Sequence, residues 1–572
     1  MPASWIARLR SEWPLLLVLA AFAASAFVVP TLSNIATTDD WGYGRSVEIL
    51  HDEGRLTVFS VVAATAVGQV LWGGLFALVF GMTLGVMRLS TVVIVALGAI
   101  ALYGILRDLG VSRGRSALGV AVHLFNPLTF MLAFTFMTDP HFMSVMLISA
   151  AFYLRGIKPG SFNWRLVVLA SFFAGWAFLI RQQGALIPLS VACYLRATRQ
   201  IWFNWQSVRR LLAVGALPAA MLIGYYLSLR WILPIAIIQT SFLDEAIGYG
   251  WSGTYRQVRL LTYIEMAYLG AVTIPIALAM IPRVRSFGGQ VIRQRRLLWI
   301  PLAIWLAGLG IGAWTLNTAE RPRTMPYIAQ FAGMRGLGPA DVPGARRQLV
   351  ELTWVPEALT IASVASAAIL GFVLCRKLVT PVSPERAAAG LLAMIGLWQW
   401  IGVLPPSYHY ALRGGSLDRY LIPLFPIAIG LMLWALRDVK LATPIAWVAI
   451  AGIAVFSTAA TRDYLAYIGG VWDMGHYANS IGVDNTQIDA GSAWDGYHIY
   501  TNGQEKPGTK VWSPEPAPWW IYLYARRIDS TYIVTTNPAI HPGYVVVQIR
   551  EYDQWLEDDP VFVYLVRMET PR

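Results

Sequence analysis

Long apolar runs separated by short polar segments dominate the chain from residue 13 to residue 460. A bilayer core takes about 20 consecutive apolar residues in a helix, and on that measure the pattern predicts about 13 spanning helices. They fall near 13–32, 88–106, 116–137, 140–154, 165–180, 184–196, 209–232, 261–281, 297–316, 355–375, 387–404, 420–436 and 442–460. With the N-terminus inside, the inner connections are Arg107–Arg115, Arg155–Arg165, Arg196–Arg210, Arg283–Arg296, Arg376–Arg386 and Arg437–Lys440, all basic. Basic connections mark the cytoplasmic face, and the alternation leaves the C-terminus outside.

The apolar run 58–85 would reverse that alternation if it crossed. It is therefore expected as a partly re-entrant or surface-lying helix inside a long first external loop, 33–87. Before it, residues 41–54 read as a short interfacial helix. Trp41, Val47 and Leu50 are its apolar positions, Glu48, His51, Asp52 and Glu53 its polar ones, and Gly54 its stop. From Thr461 onward no run reaches spanning length, Gly, Asp, Asn and Pro become frequent, and Thr531–Thr535, Tyr544–Ile549 and Val561–Val566 are β-prone. The expected architecture is a polytopic α-helical membrane domain over 1–460 followed by a small extracytoplasmic α/β domain over 461–572.

Composition agrees with this pattern. Of the 572 residues 56% are hydrophobic and 13% charged, where a soluble domain is roughly one-quarter charged. The net charge of +12 lies in short loops between apolar runs, which makes it an orientation signal and gives no reason to expect a nucleic-acid partner. Cys193 and Cys375 each end an apolar run beside basic residues, a cytoplasmic placement in which thiols stay reduced. Arg8 and Arg10 precede the first run with no small-residue cleavage site, the pattern of a retained signal anchor. A bacterial inner membrane is the expected location.

The candidate chemistry gathers on the predicted external face. Asp39 and Asp40 follow the first run directly. They read either as a solvated acidic pair or as a general base with a neighbour that orients the acceptor or binds a metal. Trp41 and Tyr43 can stack on a sugar ring, with Arg45 beside them. Asp139 opens a later run next to Thr138 and Pro140; it is either part of a helix cap or one of the rare ionisable groups at membrane depth that tend to be functional. His141 is a candidate metal or phosphate ligand. Arg181, and Arg419 with Tyr420, are either snorkelling interfacial residues or forks for a phosphate, and Arg88 opens a helix at the same face. Segments 233–260, 317–354 and 405–419, rich in aromatics and arginine, suggest a lidded cavity, although aromatic belts explain part of that. There is no metal-ligand spacing and no phosphate-binding glycine loop; involvement of a divalent metal ion is left undecided.

Asp39-Asp40, Phe80-Gly81 with Arg88-Leu89-Ser90, Met137-Thr138-Asp139-Pro140, Arg181-Gln182-Gln183-Gly184 and Arg419-Tyr420-Leu421-Ile422-Pro423 occur in this order. The set resembles the GT-C glycosyltransferases, in the branch that includes protein O-mannosyltransferases and the lipid A aminoarabinose transferase. The likeness is strongest over the N-terminal part. It implies a sugar donor carried on polyprenyl phosphate, moved with inversion on the extracytoplasmic face to a lipid, polysaccharide or protein acceptor. By the family's pattern Asp40 stands closest to the base, with Asp39 and Asp139 alongside. Arg181, Arg419, Arg88 and Tyr420 would hold the donor phosphate, and Trp41, Tyr43, Arg45 and His141 the substrates. This chain has Asp-Asp where many relatives have Asp-Glu. A transporter or flippase of lipid-linked sugars is the alternative, but it would place ionisable groups near the midplane and show inverted repeats. A noncatalytic, glycan-binding assembly protein is the third reading.

Overall fold

The computed structural model describes residues 11–59, 61–229, 250–283, 299–317, 324–328, 330–339, 341–344, 346, 349, 354–378, 383–412, 417–500, 513–514, 518–523 and 528–569. Helices make up most of it: α1 (Trp13–Val28), α2 (Asp40–Glu53), α3 (Val67–Phe80), α4 (Leu84–Asp108), α5 (Arg113–Phe125), α6 (Pro127–Ala133), α7 (Thr138–Gly156), α8 (Trp164–Ile180) and α9 (Leu186–Ala197). There follow α10 (Trp205–Leu229), α11 (Gly250–Met280), α12 (Trp299–Asn317), α13 (Trp354–Leu378), α14 (Pro384–Leu412), α15 (Phe425–Ala435), α16 (Thr443–Ser480), α17 (Ser492–Ile499) and α18 (Trp519–Leu523).

Among the described residues, seven helices are long and apolar enough to cross a membrane: α4, α10, α11, α13, α14, the segment 418–435 that ends in α15, and α16. An eighth arises if α5 and α6, bent by 68° at their junction, are one span. The expected spans at 13–32, 165–180 and 297–316 form shorter apolar helices, and 184–196 becomes the 12-residue α9. The expected span 116–137 breaks at Asn126-Pro127. A residue before proline is pushed out of helical geometry; Asn126 obeys (φ −56°, ψ 131°) and its side chain caps α6 through the Leu128 and Thr129 N–H groups.

The stretch expected as the first loop holds two helices, α2 and α3. α2 begins at Asp40 and stops where Gly54 turns left-handed (φ 65°). α3 is a 14-residue apolar helix, in the same short class as α1, α8 and α12. Two expectations are corrected in detail. Residues 250–260 and 405–412 are helical and not loop, while 230–249 and 413–416 lie outside the described residues. The expected boundary at 461 falls inside a helix, because α16 runs 38 residues to Ser480. Its second half is amphipathic, burying Tyr464, Leu465, Ile468, Val471 and Trp472, and a face of that kind supports a helix without a continuous apolar run.

Two short antiparallel ladders occur earlier, β1 (Ile157–Lys158) with β2 (Ser161–Phe162), and β3 (Ala332–Gly333) with β4 (Gly336–Leu337). The C-terminal sheet has the order β5-β6-β8-β7, from β5 (Ile488–Asp489), β6 (Tyr532–Thr535), β7 (Tyr544–Tyr552) and β8 (Val561–Met568); β5 and β6 are parallel and the other pairs antiparallel. The three β-prone runs thus become β6, β7 and β8. Asp463 of α16 fastens this sheet by accepting the N–H groups of Trp555 and Leu556, both at 2.9 Å. α17 packs on α2 so closely that a Cβ at Gly496 would lie 2.2 Å from the Trp41 ring. That contact brings the C-terminal unit to the first loop.

Candidate active site

The turn Thr37-Thr38-Asp39-Asp40 sends its two carboxylates in different directions. Asp40 is 3% exposed. Its carboxylate accepts the Thr37 N–H at 2.6 Å, the Thr37 hydroxyl at 2.7 Å and the Phe136 N–H at 3.3 Å. Burial pushes its pKa up to about 6, against the opposing effects of Arg88 and these hydrogen bonds. Thr38 takes a left-handed conformation (φ 54°), uncommon for a non-glycine residue and a form of strain that clusters at functional sites. The adjacent Asp39 remains 42% exposed in its side chain and meets Arg419 Nη2 at 3.0 Å.

A second ion pair stands beside the first. Asp139, in the first turn of α7, accepts Arg181 Nη1 at 2.6 Å, and the same nitrogen reaches the Thr138 hydroxyl at 3.0 Å. The side chains are 2% and 12% exposed. The capping interpretation is corrected here: Met137 is the cap position and no side chain caps this helix. Arg419 Nε lies 4.0 Å from the other Asp139 oxygen, beyond hydrogen-bonding range. Both guanidiniums face the Tyr420 ring, at 4.8 Å for Arg181 and 5.6 Å for Arg419. Asp418 accepts the N–H groups of Phe331 and Ala332 at 2.9 and 3.0 Å, which holds the Phe331 ring 5.7 Å from Arg419. Tyr43 is buried with Arg419, Asp39, Arg181 and Asp139 as its charged surroundings. Asp39, Asp139, Arg181 and Arg419, spread over 380 residues of sequence, thus form one cluster at the ends of their helices.

Three buried polar atoms in or beside this cluster have no hydrogen-bond partner among the described residues: Asp139 Oδ2, Arg419 Nε and His141 Nε2. His141 has its Nδ1 2.9 Å from the Met137 carbonyl. Buried polar groups are nearly always hydrogen-bonded, and an exception calls for an explanation such as a catalytic role. Among the described residues no three His, Cys, Asp or Glu side chains are grouped to hold a metal ion.

Three sequence-predicted site residues do other work. Arg88 is fully buried and donates to the carbonyls of Thr31 (2.9 Å), Ser33 (2.8 Å) and Ile35. It stands inside α4, which starts at Leu84, and is committed to shaping the chain just ahead of Asp39. Trp41 is 1% exposed, packed edge-on to Phe59 and Tyr500 beneath α17, so it offers no face to a sugar. Arg45 donates to the Tyr497 carbonyl at 3.2 Å and pairs with Glu48 at 3.2 Å. Asp341 was missed by sequence reasoning. Nothing in Gly338-Pro339-Ala340-Asp341 marks it, yet its carboxyl lies within electrostatic reach of Asp39 and Arg419, and burial raises its pKa to about 7.

Residues 71–232 match the family described as dolichyl-phosphate-mannose-protein mannosyltransferase. The chain resembles the GT-C glycosyltransferases. The matched GT-C-like stretch holds Arg88, Asp139, His141 and Arg181, while Asp39 and Arg419 reach the cluster from outside it. Among solved structures, ArnT from Cupriavidus metallidurans in the apo state aligns at 13% identity over 99% of this chain and 100% of that one, with a TM-score of 0.40. The same protein bound to undecaprenyl phosphate aligns at 13% over 98% and 100%, with 0.39. The oligosaccharyltransferase AglB from Archaeoglobus fulgidus, in complex with an inhibitory peptide and a dolichol-phosphate, aligns at 14% over 82% and 52%, with 0.27. Scores of this size fix no residue correspondence. No curated protein matches the sequence.

Proposed function

We propose that the protein is an inverting glycosyltransferase that moves a sugar from a polyprenyl-phosphate donor to an acceptor hydroxyl on the extracytoplasmic face of a bacterial inner membrane. The observation that carries this reading is the cluster itself, two buried guanidiniums and two carboxylates with unsatisfied polar atoms among them. A guanidinium has five N–H donors, so Arg181 and Arg419 can keep their aspartates and still donate to a phosphate. Asp139 holds the two arginines side by side. Asp39, half-exposed and engaged through one oxygen, is the general base in this reading, and Asp40 is the residue that fixes its turn.

The acceptor oxygen attacks the anomeric carbon opposite the phosphate and gives its proton to the Asp39 carboxylate. The bond from the anomeric carbon to the phosphate oxygen breaks, and the polyprenyl phosphate departs with the electron pair. Positive charge that develops at the sugar resembles an oxocarbenium ion, while the arginines stabilise the negative charge growing on the phosphate. A donor delivered from within the bilayer suits a cluster at the ends of membrane helices. The wider organisation proposed with it has the N-terminus and basic loops inside, some 13 crossings when α1, α7, α8, α9, α12 and the bent α5–α6 pair are counted with the seven long helices, and the sheet-bearing C-terminal unit outside.

The test supplies purified protein with polyprenyl-phosphate-linked sugars and candidate acceptors, and follows product anomeric configuration by NMR. Transfer with inverted configuration is expected. Lipid scrambling in vesicles without any transfer would favour the flippase instead.

A further inference from the structure

A small cavity adjoins the cluster on its C-terminal side. Its walls include Thr38 from the strained turn, Asp341 and Val342 from the loop after β4, Tyr464 and Trp472 from α16, and Ser492 at the start of α17. Three distant parts of the chain therefore meet here, and the contacts that hold them are specific. The Ser492 N–H donates to the Asp341 carbonyl at 2.9 Å. Gly491, at φ 90°, lies so close to this loop that a Cβ would sit 2.5 Å from the same carbonyl oxygen. Gly338, at φ 84°, lets the Tyr464 ring approach to within 2.2 Å of where its Cβ would be.

Two of the lining residues, 0% and 1% exposed, carry hydroxyls without a hydrogen-bond partner among the described residues, Tyr464 Oη and Ser492 Oγ. Phenylalanine and alanine would fill the same space without the desolvation cost of an unpaired hydroxyl, so two of them lining one cavity with a carboxyl call for an explanation. The open volume, about 10 Å³, admits one water-sized group. A sugar hydroxyl is a group of that size and can both donate and accept.

We infer that this cavity is a sugar-hydroxyl subsite, in which one ring hydroxyl of a substrate is read by Asp341, Tyr464 and Ser492. The inference rests on the glycosyltransferase reading and deepens it, because it assigns sugar selectivity to the junction between the first loop and the C-terminal unit. A site built to hydrogen-bond a hydroxyl rejects the analogue that lacks it far more strongly than an apolar pocket rejects an extra methylene, because the site's own polar groups are then left unpaired.

Binding, which needs no turnover, provides the test. Full-length protein in lipid nanodiscs is titrated with methyl glycosides of mannose, glucose, galactose and arabinose by saturation-transfer NMR, and then with each monodeoxy derivative of the best binder. The expected result is one ring position whose deoxy derivative binds at least tenfold more weakly. That penalty should shrink to less than threefold in Tyr464→Phe and in Ser492→Ala, both of which should keep wild-type thermal stability because the hydroxyls they remove are unpaired. A deoxy series without a sensitive position, a penalty unchanged in both variants, or no glycoside binding at all overturns the subsite. Sugar transfer from polyprenyl-phosphate-linked mannose, assayed in parallel on wild-type protein, separates failure of the subsite alone from failure of the glycosyltransferase reading. Deoxy donors and deoxy acceptors in that assay tell which substrate occupies the cavity.

Discussion

Replacing each of the two adjacent aspartates by asparagine should give opposite phenotypes. Asp39 is 42% exposed and makes one ion pair at 3.0 Å. The carboxylate is half-exposed although the Arg419 guanidinium is 8% exposed, and asparagine keeps an oxygen for Arg419 Nη2, so Asp39→Asn should change stability by no more than about 1 kcal/mol. Removing a general base typically costs about 10²- to 10⁴-fold in rate, and kcat should fall accordingly while donor binding persists. Asp40 is 3% exposed and accepts three hydrogen bonds. An asparagine offers one acceptor oxygen and turns an NH₂ group toward donors, stranding at least one N–H or O–H, at a cost of about 1–3 kcal/mol. Asp40→Asn should therefore lower stability measurably, with a smaller loss of kcat that follows displacement of the turn. The assay is sugar transfer by purified protein at saturating donor, paired with thermal unfolding of the same samples. If Asp40→Asn abolishes transfer at unchanged stability while Asp39→Asn stays active, the division of labour argued here is wrong.

Arg181→Ala leaves Asp139 with only the more distant Arg419 and should destabilise by about 3 kcal/mol, the lower end for a buried pair that loses one partner; Arg181→Lys should recover part of that stability but little donor affinity, and equal donor affinity in Lys and wild type would argue against a phosphate fork. Arg88→Met strips three carbonyls of their donor and should cost about 3 kcal/mol, with the donor KM of the folded fraction unchanged; a selective rise in KM would return Arg88 to the donor site. Asp341 has a folded pKa of about 7 against an ordinary 3.8, with burial and Asp39 raising it and Arg419 and a Trp519 hydrogen bond opposing. A raised carboxyl pKa means that the folded state holds the proton more tightly, so its contribution is complete below about pH 4 and is lost as pH rises through about 7. Unfolding midpoints of wild type and Asp341→Asn should diverge across that window, with wild type falling relative to the variant, and parallel profiles would contradict the assignment.

Much of the fold was legible because hydropathy and charge act locally. The long apolar runs became helices, Gly54 stopped α2 where expected, and the β-prone runs became β6, β7 and β8. What escaped depends on geometry across the chain. The break at Asn126-Pro127 was readable in principle from the proline, but the bend needs the Asn126 cap. The second half of α16 reads in sequence as the start of a new domain because an amphipathic helix lacks a continuous apolar run. At the site, residue type singled out Asp39, Asp40, Asp139, Arg181 and Arg419 and the family resemblance set Asp40 closest to the base, whereas past the left-handed Thr38 it is Asp39 that meets Arg419, an arrangement sequence order does not carry. Trp41 and Arg45 had the residue types of a sugar platform, and only the docking of α17 shows them used for packing. Asp341 carried no local signal at all.

The central claim is that Arg181 and Arg419, set by Asp139 and Asp39, receive the phosphate of a polyprenyl carrier. The most direct measurement is a cryo-EM structure of the full chain in nanodiscs with undecaprenyl phosphate. The account predicts phosphate density within hydrogen-bonding distance of both guanidiniums, with Asp39 facing the space beside it and Arg88 still bound to the carbonyls of Thr31 and Ser33. Phosphate density at another face of the bundle, with the four-residue cluster unchanged and empty of lipid, would contradict it.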